Sequence, residues 1–370
     1  MAPVVPPEAR GVTHLTGPVL VGDDDVRAQG WIVDGRMSYE APAGRHVDAT
    51  LDGVVVPGLV DVHCHVGLDG GGAVDADLAL KQAQQDRDSG TLLIRDAGSP
   101  TDTAFLHGVL DAPRLIRAGR FIARPKRYLR HYAREIEVED LPRVMAEEAR
   151  KGDGWVKIIA DWIDRDAGDL TPLWPAKTLK HGIAAAHDEG ARVTAHTFAR
   201  ESIQALLDGG IDCLEHGTGM TDDHMAQAAD LGVPVVPTLL QVDNFVGYAA
   251  QGQARFPAYA ARMRAMHERR HEHVRQLHAR GVPLLVGTDA GGTIGHGRLP
   301  EEAAQMAMAG VPAADVLASA SWRARAFLGV PSLGEGASAD LVVYASDPRE
   351  DIAALADPAH ILLRGVRVAP

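Results

Sequence analysis

The chain is short of cysteine, short of lysine, short of net positive charge, and without any long apolar run. Its 370 residues include two cysteines, Cys64 and Cys213, the first between two histidines and the second in an apolar segment. That usage excludes a disulfide framework and fits a reducing compartment. Lysine and arginine number 37 against 50 aspartates and glutamates, a formal net charge of −13. Phosphate backbones are bound by concentrated basic faces, so no nucleic-acid partner is expected. No apolar run approaches the roughly 20 residues that a helix needs to cross a bilayer. The opening MAPVVPPEARG has neither the basic nor the apolar region of a secretory signal. No membrane partner is expected, and the expected location is cytoplasmic. What the chain does have is 46% apolar content, enough for one large core and a small accessory domain.

Short apolar runs separated by turns such as Asp34-Gly35 and Ala43-Gly44 fill the first 50 residues and predict small β-strands. From Val54 the rhythm changes to strand, loop, helix. Strands are predicted at Val54–Asp61, Thr91–Arg95, Arg114–Ala118, Trp155–Ile159, Ala191–His196, Asp212–Glu215, Pro234–Thr238 and Pro283–Gly287. Helical patterns lie between them, including one long run over Tyr259–Arg280. Eight alternating units most simply close into a (β/α)8 TIM barrel, an α/β fold. After Leu328 the pattern returns to strands in ADLVVYA and HILLRGVRVA. The expected organisation is a barrel over 54–331 and a small β-sandwich domain formed from 1–53 and 332–370.

Metal-ligating side chains recur at the ends of these predicted strands. A barrel gathers the C-terminal ends of its strands around one mouth, so residues distant in sequence meet there. In His63-Cys64-His65 the strand period of two sends both imidazoles to one side and the thiol to the other. A polar strand face is the alternative for any such pair, and the apolar VVVPGLVDV before it weighs against that. His196, His216 and Asp289 each close their own apolar strand. Lys157 differs from the other five lysines, since Trp155, Val156, Ile158 and Ile159 flank it. Burial favours a neutral amine, which can add CO2 to give a carbamate able to bridge two metal ions. A lysine snorkelling from the mouth to a carboxylate is the competing reading.

These motifs together resemble the amidohydrolase superfamily: VVPGLVDVHCH, GTLLIRDAGS, the AHTF and EHGT histidines, VGTDAGG, and the closing GEGASADLVVYASDP. The resemblance covers nearly the whole chain. A lysine ending the fourth strand resembles the binuclear group that includes Xaa-Pro dipeptidases, N-acyl amino acid hydrolases and ochratoxin-hydrolysing enzymes. It implies two divalent ions, most simply zinc, with His63, His65 and Asp289 on one, His196 and His216 on the other, and carboxylated Lys157 between them. It also implies hydrolysis of an amide or peptide C–N bond in a small-molecule substrate, with Asp289 as the catalytic proton carrier. Relatives often assemble, so a homo-oligomer is compatible with it. A deaminase, an imidazolonepropionase-like cyclic-amide hydrolase or a lactonase stays open, although the glutamate those deaminases add after the fifth-strand histidine is Ala199 here. A non-catalytic scaffold is disfavoured by retention of all six positions.

Departures from the family concern substrate. The Gly-Gly-His of prolidase-like members is absent, and RAGRFIARPKRYLRHYARE stands in its place. This cationic, aromatic loop could clamp a carboxylate and stack on a ring through Arg127, Tyr128 and His131. A solvated helix face balanced by Glu135, Glu137 and Glu139 is the alternative. Gln241, at the seventh strand's exit, and His296, seven residues after Asp289, are further candidate substrate contacts. Arg95 and Asp96 read as a structural ion pair, and the histidines of MRAMHERRHEHVRQLHARG as a surface face.

Overall fold

A computed structural model describes residues 7–369 as a mixed α/β fold. Leu59–Cys64, Thr91–Asp96 and Arg114–Arg117 form one parallel sheet. Ile122–Ala123, Trp155–Ile159, Arg192–Thr197, Cys213–His216 and Val235–Val236 form a second, edged by Arg134–Glu135, also parallel throughout. Every residue of Leu59–Cys64 and of Trp155–Ile159 is buried, as expected of parallel strands covered on both faces. Helices follow the strands at Ala76–Asp88, Leu141–Lys151, Ala176–Asp188, Arg200–Gly209 and Asp222–Leu231. Their ends obey local chemistry: Asp75 accepts from Leu78 N at the first N-terminus, while Gly210 and Gly232 take left-handed conformations at two C-termini. The expected long helix over 259–280 is broken at Arg269 into Pro257–Glu268 and Arg270–Ala279. No helix of the described residues is long and apolar enough to cross a membrane.

Regular ladders do not join these strands into the closed ring that eight units led us to expect. The third strand is divided, with Arg114–Arg117 on the first sheet and Ile122–Ala123 on the second, because Gly119 turns the chain at φ 69°. The predicted eighth strand makes only the isolated bridge Leu284 to Val235, and beyond its end Ala290 bridges Cys64. Single hydrogen bonds run from it to both neighbours: Leu285 N to Val235 O, and on the other side Val62 N to Val286 O and Asp289 N to His63 O. Asp289 at φ 59° interrupts any regular pairing there.

The chain ends build two further sheets. Val12–Leu15, Gly30–Val33, Arg36–Ser38 and Ala49–Leu51 make one, and Leu341–Tyr344, Pro358–Leu363 and Val366–Ala369 join Val19–Leu20, Val26–Arg27 and Val54–Pro57 in the other. Leu15, Ile32, Met37, Val55, Leu341 and Leu362 share one apolar cluster across the two. The single strand predicted over 54–61 is therefore two. Val54–Pro57 runs antiparallel to Leu341–Tyr344, and Leu59–Cys64 enters the parallel sheet. Gly58 is the joint: its N–H donates to Asp340 O, and its carbonyl accepts from the buried Arg325 guanidinium. A Cβ at Gly58 would lie 2.6 Å from Leu92, closer than atoms pack. Gly58→Ala is expected to destabilise the fold by about 1–3 kcal/mol, read as a lower urea midpoint with an unchanged slope.

Candidate metal centre

His63 and His65 leave the end of Leu59–Cys64 on the same side, as the strand period requires, with their Nε2 atoms 3.3 Å apart. Asp289 Oδ1 lies 3.0 Å from His63 Nε2 and 3.1 Å from His65 Nε2. His196, from Arg192–Thr197, and His216, from Cys213–His216, meet with Nδ1 and Nε2 2.9 Å apart. The His63 and His216 rings are 5.1 Å apart, so the two pairs are one cluster. Lys157 Nζ is 3.4 Å from His63 Nε2. All six residues predicted from the sequence as ligands are thus brought together, and all are buried except the slightly exposed Asp289. His216, Thr238 and Asp289 all have positive φ, at 64°, 48° and 59°. That backbone region is rare outside glycine and collects at functional sites, where surrounding contacts hold it.

Three of the four rings are oriented from behind. His65 Nδ1 is 2.6 Å from Gly98 O, His63 Nδ1 is 2.7 Å from Glu215 Oε2, and His216 Nδ1 is 2.6 Å from Thr238 Oγ1. A carbonyl and a carboxylate can only accept, so the Nδ1 atoms of His65 and His63 carry protons and leave their Nε2 lone pairs facing inward. Burial holds His196 and His216 well below the usual imidazole range and lowers Lys157 from the usual amine range. Burial works to raise the Asp289 carboxyl, yet His63 holds it well below the usual carboxylate range. His196 Nε2 is buried with no partner. Inward lone pairs, a carboxylate and an orphaned ring nitrogen form a donor set that fits divalent cations.

Glu215 was not singled out from the sequence. It sits one residue before His216 and takes Arg95 and Thr194 on Oε1 while Oε2 faces His63. Arg95 therefore pairs with Glu215, 120 residues away, and not with its neighbour Asp96. Its guanidinium also lies over Trp155, 4.6 Å from the ring centroid. A signal did exist: a glutamate in a short apolar strand is costly unless paired.

The cluster opens into a cavity of about 490 Å³. Of the five predicted substrate contacts, Tyr128 and Gln241 line it. Three do not. Arg127 is spent on Asp164 at 3.2 Å and Thr171 Oγ1 at 2.7 Å. His131 is exposed on a left-handed turn against Gly72. His296 is buried behind the site, with Nδ1 2.8 Å from Asp86 and 3.6 Å from Cys64 Sγ. The helical histidines likewise differ from a plain surface face, since His273 is buried and 2.9 Å from Gly217 O.

Comparison with known proteins places this geometry. The Amidohydrolase family profile matches residues 54–368. An uncharacterized protein of Mycobacterium tuberculosis (strain H37Rv) is 49% identical over 367 residues, 98% of each chain. Two solved structures share the fold. A Xaa-Pro dipeptidase with bound methionine has a TM-score of 0.80 at 22% identity, over 96% of this chain and 99% of that one. A putative prolidase from Bifidobacterium longum has 0.79 at 24%, over 99% and 95%. The chain belongs to the amidohydrolase family and is a hydrolase acting on carbon–nitrogen bonds.

Removing the charge behind His63 tests the orienting layer. Glu215→Ala strands the Arg95 guanidinium in the core, and chemical denaturation is expected to show a loss of about 3–5 kcal/mol.

Proposed function

We propose that the chain is a metal-dependent hydrolase that cleaves the C–N bond of a small amide at the six-residue cluster. The observation that carries this reading is the convergence of four imidazoles, one carboxylate and one buried amine, all with inward-facing donor atoms, at the floor of a ligand-sized cavity. His63, His65 and Asp289 would hold one divalent ion and His196 and His216 a second, with zinc the best match to such nitrogen-rich donors. The amine of Lys157, its charged form disfavoured by burial, would add to the carbon of CO2 and release one proton, giving an anionic carbamate between the two positions. When bound, the cations supply Lewis acidity, polarising a carbonyl and making water nucleophilic at neutral pH.

The chain's own residues do the rest. Asp289 Oδ1 is turned toward His63 Nε2 and His65 Nε2, so its Oδ2 is assigned the proton, taken from the attacking water and delivered to the leaving nitrogen. Glu215, Gly98 and Thr238 hold the rings in orientation throughout. We further propose that the two parallel sheets are arcs of one eight-stranded barrel over 54–331. The hydrogen bonds linking the 283–290 segment to both neighbours support closure. The apolar cluster common to the two terminal sheets supports a small sandwich domain from 1–53 and 332–370.

Elemental analysis of purified protein is expected to give about two metal ions per chain. Lys157→Ala is expected to lose at least one of them together with turnover, and small carboxylic acids such as formate are expected to restore part of it. A Lys157→Ala protein that keeps both ions and full turnover would discard the carbamate.

A further inference from the structure

The wall of the cavity carries information about substrate that the loop sequence alone did not. Aromatic residues are only 5% of the chain, 17 in all. Seven of them nevertheless line this one cavity, among them Tyr128, Trp162, Tyr248 and Tyr259. Tyr128 packs edge-on between Trp162, at 4.6 Å, and His196, at 5.9 Å between ring centroids. An aromatic surface therefore begins directly beside the candidate reacting centre and continues toward the mouth.

Charge is distributed in the opposite way. No arginine or lysine between residues 120 and 134 lines the cavity. Arg127 is tied to Asp164, Arg134 to Glu147 and Glu148, and Arg120 to backbone carbonyls of Tyr132 and His131. Among the described residues, the one arginine or lysine side chain on the wall is Arg255. It is exposed at the rim, with its guanidinium 5.1 Å from the Phe256 ring centroid. A solvated cation there does not replace the hydration that a carboxylate loses deeper in the cavity. Apart from the clustered ligand residues, the inner polar groups are neutral. Gln241 Oε1 collects Asn244 Nδ2 at 3.1 Å, Thr293 Oγ1 at 3.3 Å and Tyr248 OH at 3.4 Å. This leaves the Gln241 amide N–H groups for an acceptor on the ligand.

We infer that the site takes an uncharged amide with an aromatic group next to the scissile bond and discriminates against the same molecule carrying a free carboxylate. This rests on the amide-hydrolase reading above and narrows it. It sets aside the carboxylate clamp expected of the cationic loop, and with it N-acyl amino acids and free Xaa-Pro dipeptides as preferred substrates.

Matched pairs test it on the metal-loaded protein. N-benzoylpyrrolidine and N-benzoylproline present the same bond and ring and differ only in the carboxylate. The uncharged molecule is expected to have the higher kcat/KM by about 10–100-fold, the penalty of burying an unpaired charged group. N-acetylpyrrolidine, lacking the ring, is expected to fall at least about tenfold below N-benzoylpyrrolidine. Equal or reversed preference overturns the inference. If N-benzoylproline is preferred and Arg255→Gln abolishes that preference, the rim arginine is the carboxylate clamp. If a protein holding its metals hydrolyses none of them, the hydrolase reading fails. Titration calorimetry of the same molecules then decides the present point separately: tighter binding of N-benzoylpyrrolidine sustains it, and equal or tighter binding of N-benzoylproline overturns it.

Discussion

Imidazole Nε2 atoms turned toward one another, two of them 3.3 Å apart with a third ring beside them, are an electrostatic liability, and the architecture around them exists to hold that liability in place. Left to relax, the rings would rotate to hydrogen-bond elsewhere. Gly98 O, the Glu215 carboxylate and Thr238 Oγ1 prevent it by occupying each Nδ1. Glu215 in turn needs Arg95, and Arg95 needs the Trp155 face. The ordering therefore extends two layers behind the ligands, through fully buried charges that would be destabilising if any one were unmatched. Asp61 ties two strands together in the same region, accepting from His63 N and Thr288 N and from the Thr288 hydroxyl. It fixes the backbones that carry His63 and Asp289 relative to each other.

How much of this was legible in the sequence depends on what kind of element carries each residue. The six clustered residues could be found because each stands at or near the end of an apolar run, and strand periodicity dictates where such an end points. Lys157 was legible for a related reason, as the one lysine among large apolar neighbours. Glu215 obeyed the same rule and was overlooked beside the more conspicuous His216. Residues on loops were not legible. Arg127, His131 and His296 all neighbour the site in sequence terms, but loop geometry sent Arg127 to Asp164, His131 to an exposed turn and His296 to Asp86. The strand predicted over 54–61 was continuous in hydrophobicity, and nothing in that pattern marks the change of partner at Gly58. The long helix was misjudged in a similar way, since apolar periodicity persists across the break at Arg269.

The loop after the third strand shows how composition can mislead while position informs. RAGRFIARPKRYLRHYARE reads as a cationic surface, yet Arg120, Arg127 and Arg134 are taken up by carboxylates and carbonyls. Its rings do the opposite: Phe121, Tyr128 and Tyr132 pack edge-to-face with one another and turn toward the cavity. Charges on long flexible side chains find partners at the periphery, whereas aromatic rings are driven out of water and define the walls.

The pairing of Val54–Pro57 with Leu341–Tyr344 has an implication for biosynthesis. The strand bearing His63 and His65 is anchored, through Gly58, to a segment whose partner lies nearly 290 residues later in the chain. During translation the first two ligands lack that brace until Leu341–Tyr344 has left the ribosome. A chain cut short of Leu341 carries the histidine pair without that brace.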